Sequence, residues 1–398
     1  MKYIPPYTVH KYQRFAKNNV IREPKSKNVV QSLLAPANVL INGQRPWDIH
    51  IHNANFYERV LTGGSLSLGE SYMDGWWDCE ALDQFFEKIM ENRLDKKVKA
   101  NTSLLLWAYL KAKILLAQSK SKAYVIGKWH YDIGNTLFAI MLDKGMNYSC
   151  GYWETAKTLD NAQDDKLDLI CRKMALQPGM KVLDIGCGWG GFAKYAAEKY
   201  SANVYGITVS RDQLEYAKKI CRGQSVKIDL KDYRELKGKY DRIVSIGMFE
   251  HVGCRNYNTF FKIVYRCLKA DGLFLLHTIA GNSSVEIPDP WVTKYIFPNS
   301  MLPSAKQITS TAEGRFVIEH WHSFGQYYDK TLMAWYNNFK GNRTKLKDAY
   351  DERFYRMWTY YLLSLAGSFR SRRNQLWQIV FSKKGIKGGF HYRGNRMD

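Results

Sequence analysis

The sequence predicts an α/β protein whose mostly parallel sheet is covered by helices on both faces, preceded by a smaller α+β domain. Two observations support this prediction. From about residue 129, apolar segments of five to eight residues alternate with segments of helical periodicity, which is typical of a doubly wound parallel sheet. The 398 residues are also many for one hydrophobic core. We therefore predict an N-terminal domain over residues 1–95, a helical linker over 96–128 and an α/β domain over 129–398.

The N-terminal domain is predicted to contain a β-hairpin and an amphipathic helix. Two short strand-like segments flank Asn42 and Gly43, a dipeptide that favours a two-residue hairpin turn. Residues 80–92 have helical periodicity. In the linker, residues 103–117 are apolar with interleaved lysines. This segment either packs between the domains or lies on a membrane surface.

The α/β domain is predicted to contain five strands with helices between them. The strands are predicted at 180–187, 202–210, QSVKIDLKDYREL, YDRIVSIG and DGLFLLHTIA. Ligands of such sheets bind beyond the carboxyl ends of the strands. The fourth strand ends at Glu250 and His251, so Glu250 is a candidate site residue, although an acidic residue also suits the first turn of a helix. We interpret His251 as structural.

Composition and cysteine usage limit the environment of the chain. The net charge of +22, from 59 basic and 37 acidic residues, attracts polyanions such as nucleic acid or an anionic membrane, and no nucleic-acid-binding motif accompanies it. The seven cysteines are scattered singly, which indicates reduced thiols. The chain starts without the apolar run of a secretion signal, and residues 103–117 are too short and too charged to cross a bilayer. These features predict a cytoplasmic protein that can lie on a membrane.

The first strand of the α/β domain ends in a glycine-rich loop, VLDIGCGWGGF. Gly186, Gly188 and Gly191 match the dinucleotide fingerprint G-x-G-x-x-G, but that match alone is weak. A nicotinamide enzyme also needs an acidic residue that closes the second strand, and none occurs before Asp212 in the next helix. Asp184, two residues before the first glycine, suits the cationic amino group of S-adenosylmethionine instead. The pattern predicts a Rossmann-like class I methyltransferase domain.

Seven segments match one known family in order and spacing. They are HYDIGNTLF (130–138), MNYSCGYW (146–153), VLDIGCGWGG (182–191), GMFEHVG (247–253), LLHTIA (275–280), DPWVTKYIFPNSMLPS (289–304) and YYDKTLMAWY (327–336). Through them the chain resembles the cyclopropane-fatty-acyl-phospholipid synthases, and the resemblance extends over nearly the whole sequence. It implies transfer of a methylene group from S-adenosylmethionine across the cis double bond of an unsaturated phospholipid acyl chain.

The resemblance implies a binding site for S-adenosylmethionine. Tyr148 and Ser149 would hold the methionine carboxylate, and Asp184 would lie at the amino acid end. Thr208 and Gln213 would take the place of the missing ribose carboxylate, and residues 232–234 would lie by the adenine. The full implied set is Tyr148, Ser149, Asp184, Gly186, Gly188, Gly190, Thr208, Gln213, Asp232 and Tyr233.

The resemblance also implies a bound bicarbonate ion as the general base. Attack by the alkene leaves a carbocation, which aromatic rings can stabilise, and a proton must then leave the transferred carbon. The implied pocket consists of Cys150, Glu250, His277, Ile279 and Tyr328. His277 and Tyr328 would offer side-chain donors, Cys150 and Ile279 would offer backbone groups, and Glu250 would orient the ion. Without the resemblance, Cys150, His277 and Tyr328 would be interpreted as packing residues.

The implied partners are a bilayer of unsaturated, anionic phospholipids at the inner face of the cell membrane and a second copy of the chain. Nucleic acid and metal are not implied, since the H-x-H pair His320 and His322 lacks a third ligand. Some relatives carry a cysteine where this chain has Leu365, so a thiol nucleophile cannot act there. Two alternatives are a methyltransferase acting on another lipid or a small amine, and a non-catalytic basic protein that binds lipid or nucleic acid.

Overall fold

The structure, a computed structural model, describes residues 25–94, 134–285 and 288–392. The predicted linker 96–128, with its apolar segment 103–117, lies outside the described residues. Within them, no helix combines the length and the apolar character that a membrane span requires.

The N-terminal part is mainly helical. Its elements are α1 (Lys25–Leu34), a 3-10 turn (Ala35–Ala37), β1 (His50–Ile51), α2 (Phe56–Met73), β2 (Trp77–Asp78) and α3 (Leu82–Glu91). The strands β1 and β2 pair antiparallel with each other. The predicted helix at 80–92 is confirmed as α3.

The predicted hairpin around Asn42 and Gly43 is wrong. Ile41 and Ile49 form only an isolated bridge, and the following strand β1 pairs with β2 instead. The physical reason is the buried Asp48 side chain, which closes this loop. Its carboxylate accepts hydrogen bonds from the backbone N–H of Leu40 (2.8 Å) and of Arg45 (3.0 Å), and it also pairs with the Arg45 guanidinium. Side-chain hydrogen bonds thus replace the ladder of a hairpin.

Seven strands form the central sheet. They are β3 (Lys181–Ile185), β4 (Asn203–Thr208), β5 (Val226–Leu230), β6 (Tyr240–Ile246), β7 (Leu268–Gly281), β8 (Val317–Ser323) and β9 (Asn374–Ser382). They lie in the order β5-β4-β3-β6-β7-β9-β8. The strands β3 to β7 are parallel and confirm the five predicted ones. The strand β9 runs antiparallel between β7 and β8, and neither β8 nor β9 is among the predicted strands.

Helices cover both faces of the sheet. They are α4 (Asn135–Met141), α5 (Leu159–Lys173), α6 (Gly191–Tyr200), α7 (Arg211–Ile220), α8 (Tyr257–Cys267), α9 (Pro290–Tyr295), α10 (Ala305–Ala312), α11 (Gln326–Gly341), α12 (Arg343–Leu346) and α13 (Glu352–Arg370). Capping side chains mark the N-termini of several of these helices. Thr158, Ser210 and Asp351 each accept a hydrogen bond from a backbone N–H in the first turn of α5, α7 and α13.

The N-terminal part and the α/β domain share one hydrophobic core in the described residues. Tyr360 of α13 packs against Tyr72 and Phe86, with ring centroids 5.6 and 5.1 Å apart. At the end of the same helix, the Arg370 guanidinium pairs with Asp83 of α3 at 2.7 Å. The domain boundary at residue 95 stays a prediction, and the N-terminal part contributes directly to the packing around α13.

A glycine in α13 allows helix α3 of the N-terminal part to pack closely against α13. A Cβ at Gly367 would lie 2.5 Å from the carbonyl oxygen of Asp83 and 2.6 Å from the amide nitrogen of Glu87. We expect Gly367→Ala to push α3 and α13 apart and to lower the free energy of unfolding by about 1–3 kcal/mol. Gly341→Ala is the matched control, because no atom of the described residues lies within 4 Å of that Cβ position, and it should be neutral or slightly stabilising. Equal thermal unfolding midpoints for the two variants would contradict this close contact.

Candidate active site

A cavity of about 750 Å³ lies at the carboxyl ends of β3, β6 and β7 and extends to the N-terminal helices. Asp184, Glu250 and His277 form part of its polar wall. Apolar side chains of the N-terminal part line the other region, among them Val30, Leu34, Phe56, Leu68, Phe86 and Met90. The position agrees with the rule that α/β sheets bind ligands beyond the carboxyl ends of their strands. One space therefore joins the charged groups of the sheet to an apolar compartment.

The glycine loop after β3 lets the backbone approach the cavity closely. Gly186 and Gly188 line the cavity with positive φ angles of 85° and 55°, and a Cβ on Gly186 would lie 2.6 Å from Cγ of Met248. Gly190 has a φ of 90°, caps α6 and lies outside the cavity wall. Two of the three predicted glycines thus contact the cavity, and a direct role for Gly190 stays a prediction.

Asp184, near the end of β3, is buried in the cavity wall. Neither of its carboxylate oxygens has a hydrogen-bond partner among the described residues. Burial raises the pKa of Asp184 to about 7, and the nearby Lys166 ammonium partly offsets that rise. A buried carboxylate without a donor is costly, so this position fits a ligand that brings a cationic N–H group.

Tyr148 and Ser149 also line the cavity, and other buried side chains hold them in place. Lys166 donates a hydrogen bond to the Ser149 hydroxyl (3.1 Å), and Gln163 donates to the Ser149 carbonyl oxygen (2.7 Å). The hydroxyls of Tyr148 and Tyr361 lie 2.6 Å apart. This segment is therefore fixed from α5 on one side and from α13 on the other.

The residues predicted for the ribose and the adenine lie at different depths. Gln213 lines the cavity, and its side-chain oxygen accepts a hydrogen bond from the Thr208 hydroxyl (2.8 Å). Thr208 is buried behind Gln213 and orients it. Asp232 accepts a hydrogen bond from the backbone N–H of Arg234 (2.9 Å), and both Asp232 and Tyr233 are buried outside the cavity wall. Their contact with adenine stays a prediction.

Glu250 lies in the short 3-10 turn Phe249–His251 that follows β6. Its Oε1 accepts a hydrogen bond from the backbone N–H of Ile279 in β7 (2.7 Å), and its carbonyl oxygen accepts one from the N–H of Met301 (2.8 Å). Its Oε2 is buried without a hydrogen-bond partner in the part of the chain that the structure describes. Burial raises the pKa of Glu250 to about 7. One carboxylate oxygen is thus fixed by the sheet, and the other is available to a ligand.

His277 of β7 stands directly opposite Gln378 of β9 in the sheet. The Nδ1 of His277 lies 3.1 Å from Nε2 of Gln378, and the Nε2 of His277 has no hydrogen-bond partner among the described residues. Burial and the charges of Lys166 and Lys173 lower the pKa of His277 well below its usual value. The ring is therefore neutral and presents one nitrogen to a ligand.

Of the other three predicted catalytic residues, two line the cavity and one lies behind its wall. Tyr328 of α11 and Ile279 of β7 contact the cavity, although the N–H of Ile279 is already bonded to Glu250. Cys150 is fully buried behind the wall, with its sulfur 3.9 Å from the Thr331 hydroxyl. Burial raises the pKa of the Cys150 thiol, so the group is neutral. The backbone roles of Cys150 and Ile279 toward an ion stay predictions.

Aromatic rings make up a large part of the wall. They include Phe138, Trp189, Phe297, Tyr328, Trp358 and Tyr361. His251, which the sequence analysis interprets as structural, also lines the cavity, with its ring 5.9 Å from that of Phe297. Burial lowers the pKa of His251 to about 4, so this ring is neutral too. Such a wall suits an apolar ligand and can stabilise a positive charge on it.

Two buried lysines of α5, Lys166 and Lys173, are absent from the predicted site. They fall on one buried face of the helix with Ala162, Leu169 and Ile170, at helical intervals of three and four residues. Lysine is almost never fully buried without a partner, so a lysine in an apolar stripe indicates a polar role. The sequence contains this signal, because both lysines follow the periodicity of the apolar residues.

The sheet order, the glycine loop and the buried Asp184 after β3 define a class of protein. The crystal structure of mycolic acid cyclopropane synthase CmaA1 complexed with SAH and CTAB matches with a TM-score of 0.61 and 34% identity, covering 65% of this chain and 98% of that one. The fold is that of the class I S-adenosylmethionine-dependent methyltransferases, as predicted. The free oxygens of Asp184 fit the cationic amino group of S-adenosylmethionine, and Gly186 and Gly188 leave room for its approach.

Sequence comparisons identify the family. The mycolic acid cyclopropane synthetase family model matches residues 118–379. The cyclopropane-fatty-acyl-phospholipid synthase of Escherichia coli (strain K12) is 51% identical over 365 residues, which cover 91% of this chain and 94% of that protein. Cyclopropane mycolic acid synthase 1 of Mycobacterium tuberculosis (strain ATCC 25618 / H37Rv) is 35% identical over 260 residues, 61% of this chain and 91% of that protein. This chain belongs to the mycolic acid cyclopropane synthetase family, and the resemblance predicted from its motifs is confirmed.

The raised pKa of Glu250 predicts a specific effect of pH on stability. The unfolded chain releases this proton near pH 4.5, whereas the folded chain holds it up to about pH 7, so the ionised side chain destabilises the fold increasingly between those values. We expect Glu250→Gln to be more stable than the wild type at pH 8, by up to about 3 kcal/mol. The advantage should disappear near pH 4.5. Thermal unfolding of both proteins from pH 4.5 to 8, without added ligands, measures this difference in stability. A difference that does not change with pH would contradict the raised pKa of Glu250.

Proposed function

We propose that this enzyme transfers a methylene group from S-adenosylmethionine across the cis double bond of an unsaturated phospholipid acyl chain, which forms a cyclopropane fatty acid. The observation that carries the proposal is the single cavity that joins Asp184 and Glu250 to an apolar compartment of the N-terminal part. The polar region suits the cofactor, and the apolar region suits an acyl chain. The 51% identity to the Escherichia coli cyclopropane-fatty-acyl-phospholipid synthase supports the same class of substrate.

The residues of the cavity act mainly by positioning and by excluding water. S-adenosylmethionine, when bound, supplies an electrophilic methyl group on a sulfonium centre. An alkene is a weak nucleophile, so the first requirement is that a dry, apolar cavity aligns the double bond with this methyl group. Positive charge then develops on the acyl chain, where rings such as those of Phe138, Trp189 and Tyr361 can stabilise it. The thiol of Cys150 is neutral and lies behind the wall, so it does not trap the cation.

The proton that leaves the transferred carbon needs a base, and we propose a bicarbonate ion held by Glu250, His277 and Tyr328. Two observations support this site: Glu250 Oε2 and His277 Nε2 lack hydrogen-bond partners among the described residues, and all three side chains line the same cavity. Burial raises the pKa of Tyr328, so its hydroxyl keeps its proton and can donate. In this arrangement His277 and Tyr328 donate to the ion, and Glu250 orients its hydroxyl. The sequence also predicts backbone contacts from Cys150 and Ile279, but Cys150 lies behind the wall and the N–H of Ile279 is bonded to Glu250, so the proposal rests on the three side chains.

We also propose that the enzyme binds the inner face of the cell membrane from the cytoplasm, with a preference for anionic phospholipids. The net charge of +22 supports this, since each Lys or Arg near an anionic surface contributes on the order of 1 kcal/mol. Two apolar side chains of the N-terminal part, Val29 and Leu40, are each 48% exposed. Their exposure supports contact with lipid or, in a proposed homodimer, with a second copy of the chain.

Vesicles of unsaturated phosphatidylglycerol test the reaction. Incubation with labelled S-adenosylmethionine should yield acyl chains that are heavier by one methylene group and lack the double bond, measured by mass spectrometry of the released fatty acids. Vesicles of the matching saturated lipid are the control and should gain no label. Labelling of a soluble amine without any lipid would favour the alternative methyltransferase. The proposed substrate would be refuted if the unsaturated vesicles gained no label although calorimetry showed that the enzyme binds S-adenosylmethionine.

The base has its own test. Glu250→Gln should bind S-adenosylmethionine with nearly unchanged affinity and lose turnover by about 10²-fold or more, the usual contribution of a positioned base. In buffer depleted of carbon dioxide the wild-type rate should fall, and added bicarbonate should restore it. Glu313→Gln alters an exposed carboxylate at the end of α10 and should behave like the wild type. A wild-type rate in Glu250→Gln, or a rate that ignores bicarbonate, would rule out this role.

A further inference from the structure

A row of three buried side chains leads from α5 to the cavity. The Nζ of Lys173, the last residue of α5, lies 2.8 Å from Oε1 of Gln378. The Nε2 of Gln378 lies 3.1 Å from Nδ1 of His277. Lys173 and Gln378 are 0% exposed and His277 is 1% exposed, so water does not compete for these hydrogen bonds. The row ends at Nε2 of His277, whose ring lines the cavity.

The chemistry of each group fixes the direction of every hydrogen bond in this row. A protonated lysine has donors and no acceptor, so the amide of Gln378 must turn its oxygen toward Lys173. The amide nitrogen, which can only donate, then faces His277, and Nδ1 of His277 must accept. A neutral imidazole that accepts at Nδ1 carries its proton on Nε2. The orientation of the amide and the tautomer of the ring therefore both follow from one ammonium group.

We propose that Lys173 is a positioning residue that acts through Gln378 to hold His277 as its neutral Nε2–H tautomer. The cavity thus receives a hydrogen-bond donor at this point and no acceptor. His277 cannot take up a proton at Nε2 and cannot serve there as a general base. It selects a ligand atom that accepts a hydrogen bond, such as an oxygen of a small oxyanion. The tautomer assignment rests on the hydrogen bonds that a protonated Lys173 makes, whereas its part in the reaction rests on the proposed function.

The surroundings of Lys173 support a dedicated role. Its neighbour Arg172 pairs with Asp168 at 2.7 Å, but no carboxylate pairs with Lys173 among the described residues. The ammonium instead contacts Nδ1 of His322 at 2.9 Å and lies 5.5 Å from the ring centre of Tyr392. An apolar side chain would fill the same space without the cost of burying a charge. Packing alone therefore does not account for a lysine at this position.

Nitrogen chemical shifts of histidine distinguish the two tautomers directly. We would record long-range ¹H–¹⁵N spectra of the full-length protein with ¹⁵N-labelled histidine, and His277→Gln assigns the signal by its loss. The spectra are taken at pH 6, because burial lowers the pKa of Lys173 to about 7 and lowers that of His277 well below its usual value, which leaves the lysine protonated and the ring neutral. The wild type should show a protonated Nε2 and an unprotonated Nδ1. A protonated Nδ1 in the wild type would overturn the proposal.

Two variants test the direction of the hydrogen bonds from Lys173 through Gln378 to His277. Gln378→Glu keeps the size of the side chain but offers only acceptors, so His277 should become protonated at Nδ1. Lys173→Met removes the ammonium and should give a mixture of tautomers. His322→Phe removes the other acceptor of Lys173 and is the matched control, in which the His277 tautomer should not change. A wild-type tautomer in Gln378→Glu would overturn the proposal even if Lys173→Met fails to fold.

Kinetics connect the tautomer to the reaction. Lys173→Met should raise the bicarbonate concentration for half-maximal rate by about tenfold, the effect of losing one hydrogen bond to the ion. The rate at saturating bicarbonate should change much less, and Lys219→Met on the surface of α7 should change neither. If no variant responds to bicarbonate but the spectra match, the proposed base is wrong and the tautomer assignment stands. If bicarbonate is required but Lys173→Met leaves its half-maximal concentration unchanged, Lys173 does not position His277 for the reaction.

Discussion

The pairing of β7 with its two neighbours is the constraint on which the site depends. Within the sheet, Ile246 of β6 lies opposite His277, and Gln378 of β9 lies opposite His277 from the other side. Two residues further along β7, the N–H of Ile279 holds Glu250 in the turn after β6. Because side chains alternate along a strand, a shift of one residue would turn His277 to the other face of the sheet. The register of one strand therefore sets the positions of both groups relative to the glycine loop.

The sequence predicts those parts of the fold that depend on local periodicity. The five parallel strands and the helices after them follow from alternating apolar patterns, and Asp184 and Glu250 follow from the rule that ligands bind at strand ends. The strands β8 and β9 are not predicted, because they lie beyond the alternating strand–helix segments and pair antiparallel instead. The roles of Gln378 and Lys173 depend on that same pairing. Their contacts join residues far apart in the chain, which no local pattern encodes.

In the N-terminal part, hydrogen bonds to a buried side chain override a local turn preference. Asn42 and Gly43 favour a hairpin, but the buried Asp48 carboxylate draws the backbone N–H groups of Leu40 and Arg45 to itself. Gln31 of α1 is hydrogen-bonded to this loop at Val39 and Ile41, and Gly367 lets α3 lie directly on α13. The apolar compartment thus arises from contacts between two regions of the chain. Neither region alone encloses it.

The buried polar groups of the cavity wall lower the stability of the fold, and a ligand can offset this loss. Asp184 and Glu250 are buried with carboxylate oxygens that lack hydrogen-bond partners among the described residues, and burial raises the pKa of each to about 7. Lys166 is buried near Asp184, Lys173 is buried behind His277, and burial lowers the pKa of each lysine. A ligand that brings a cationic amino group to Asp184 or a hydroxyl to Glu250 replaces the lost hydration of these groups. Since such a ligand binds the folded chain and not the unfolded one, its binding stabilises the fold. The buried groups that lower the stability of the fold are therefore the ones that give the cavity its affinity.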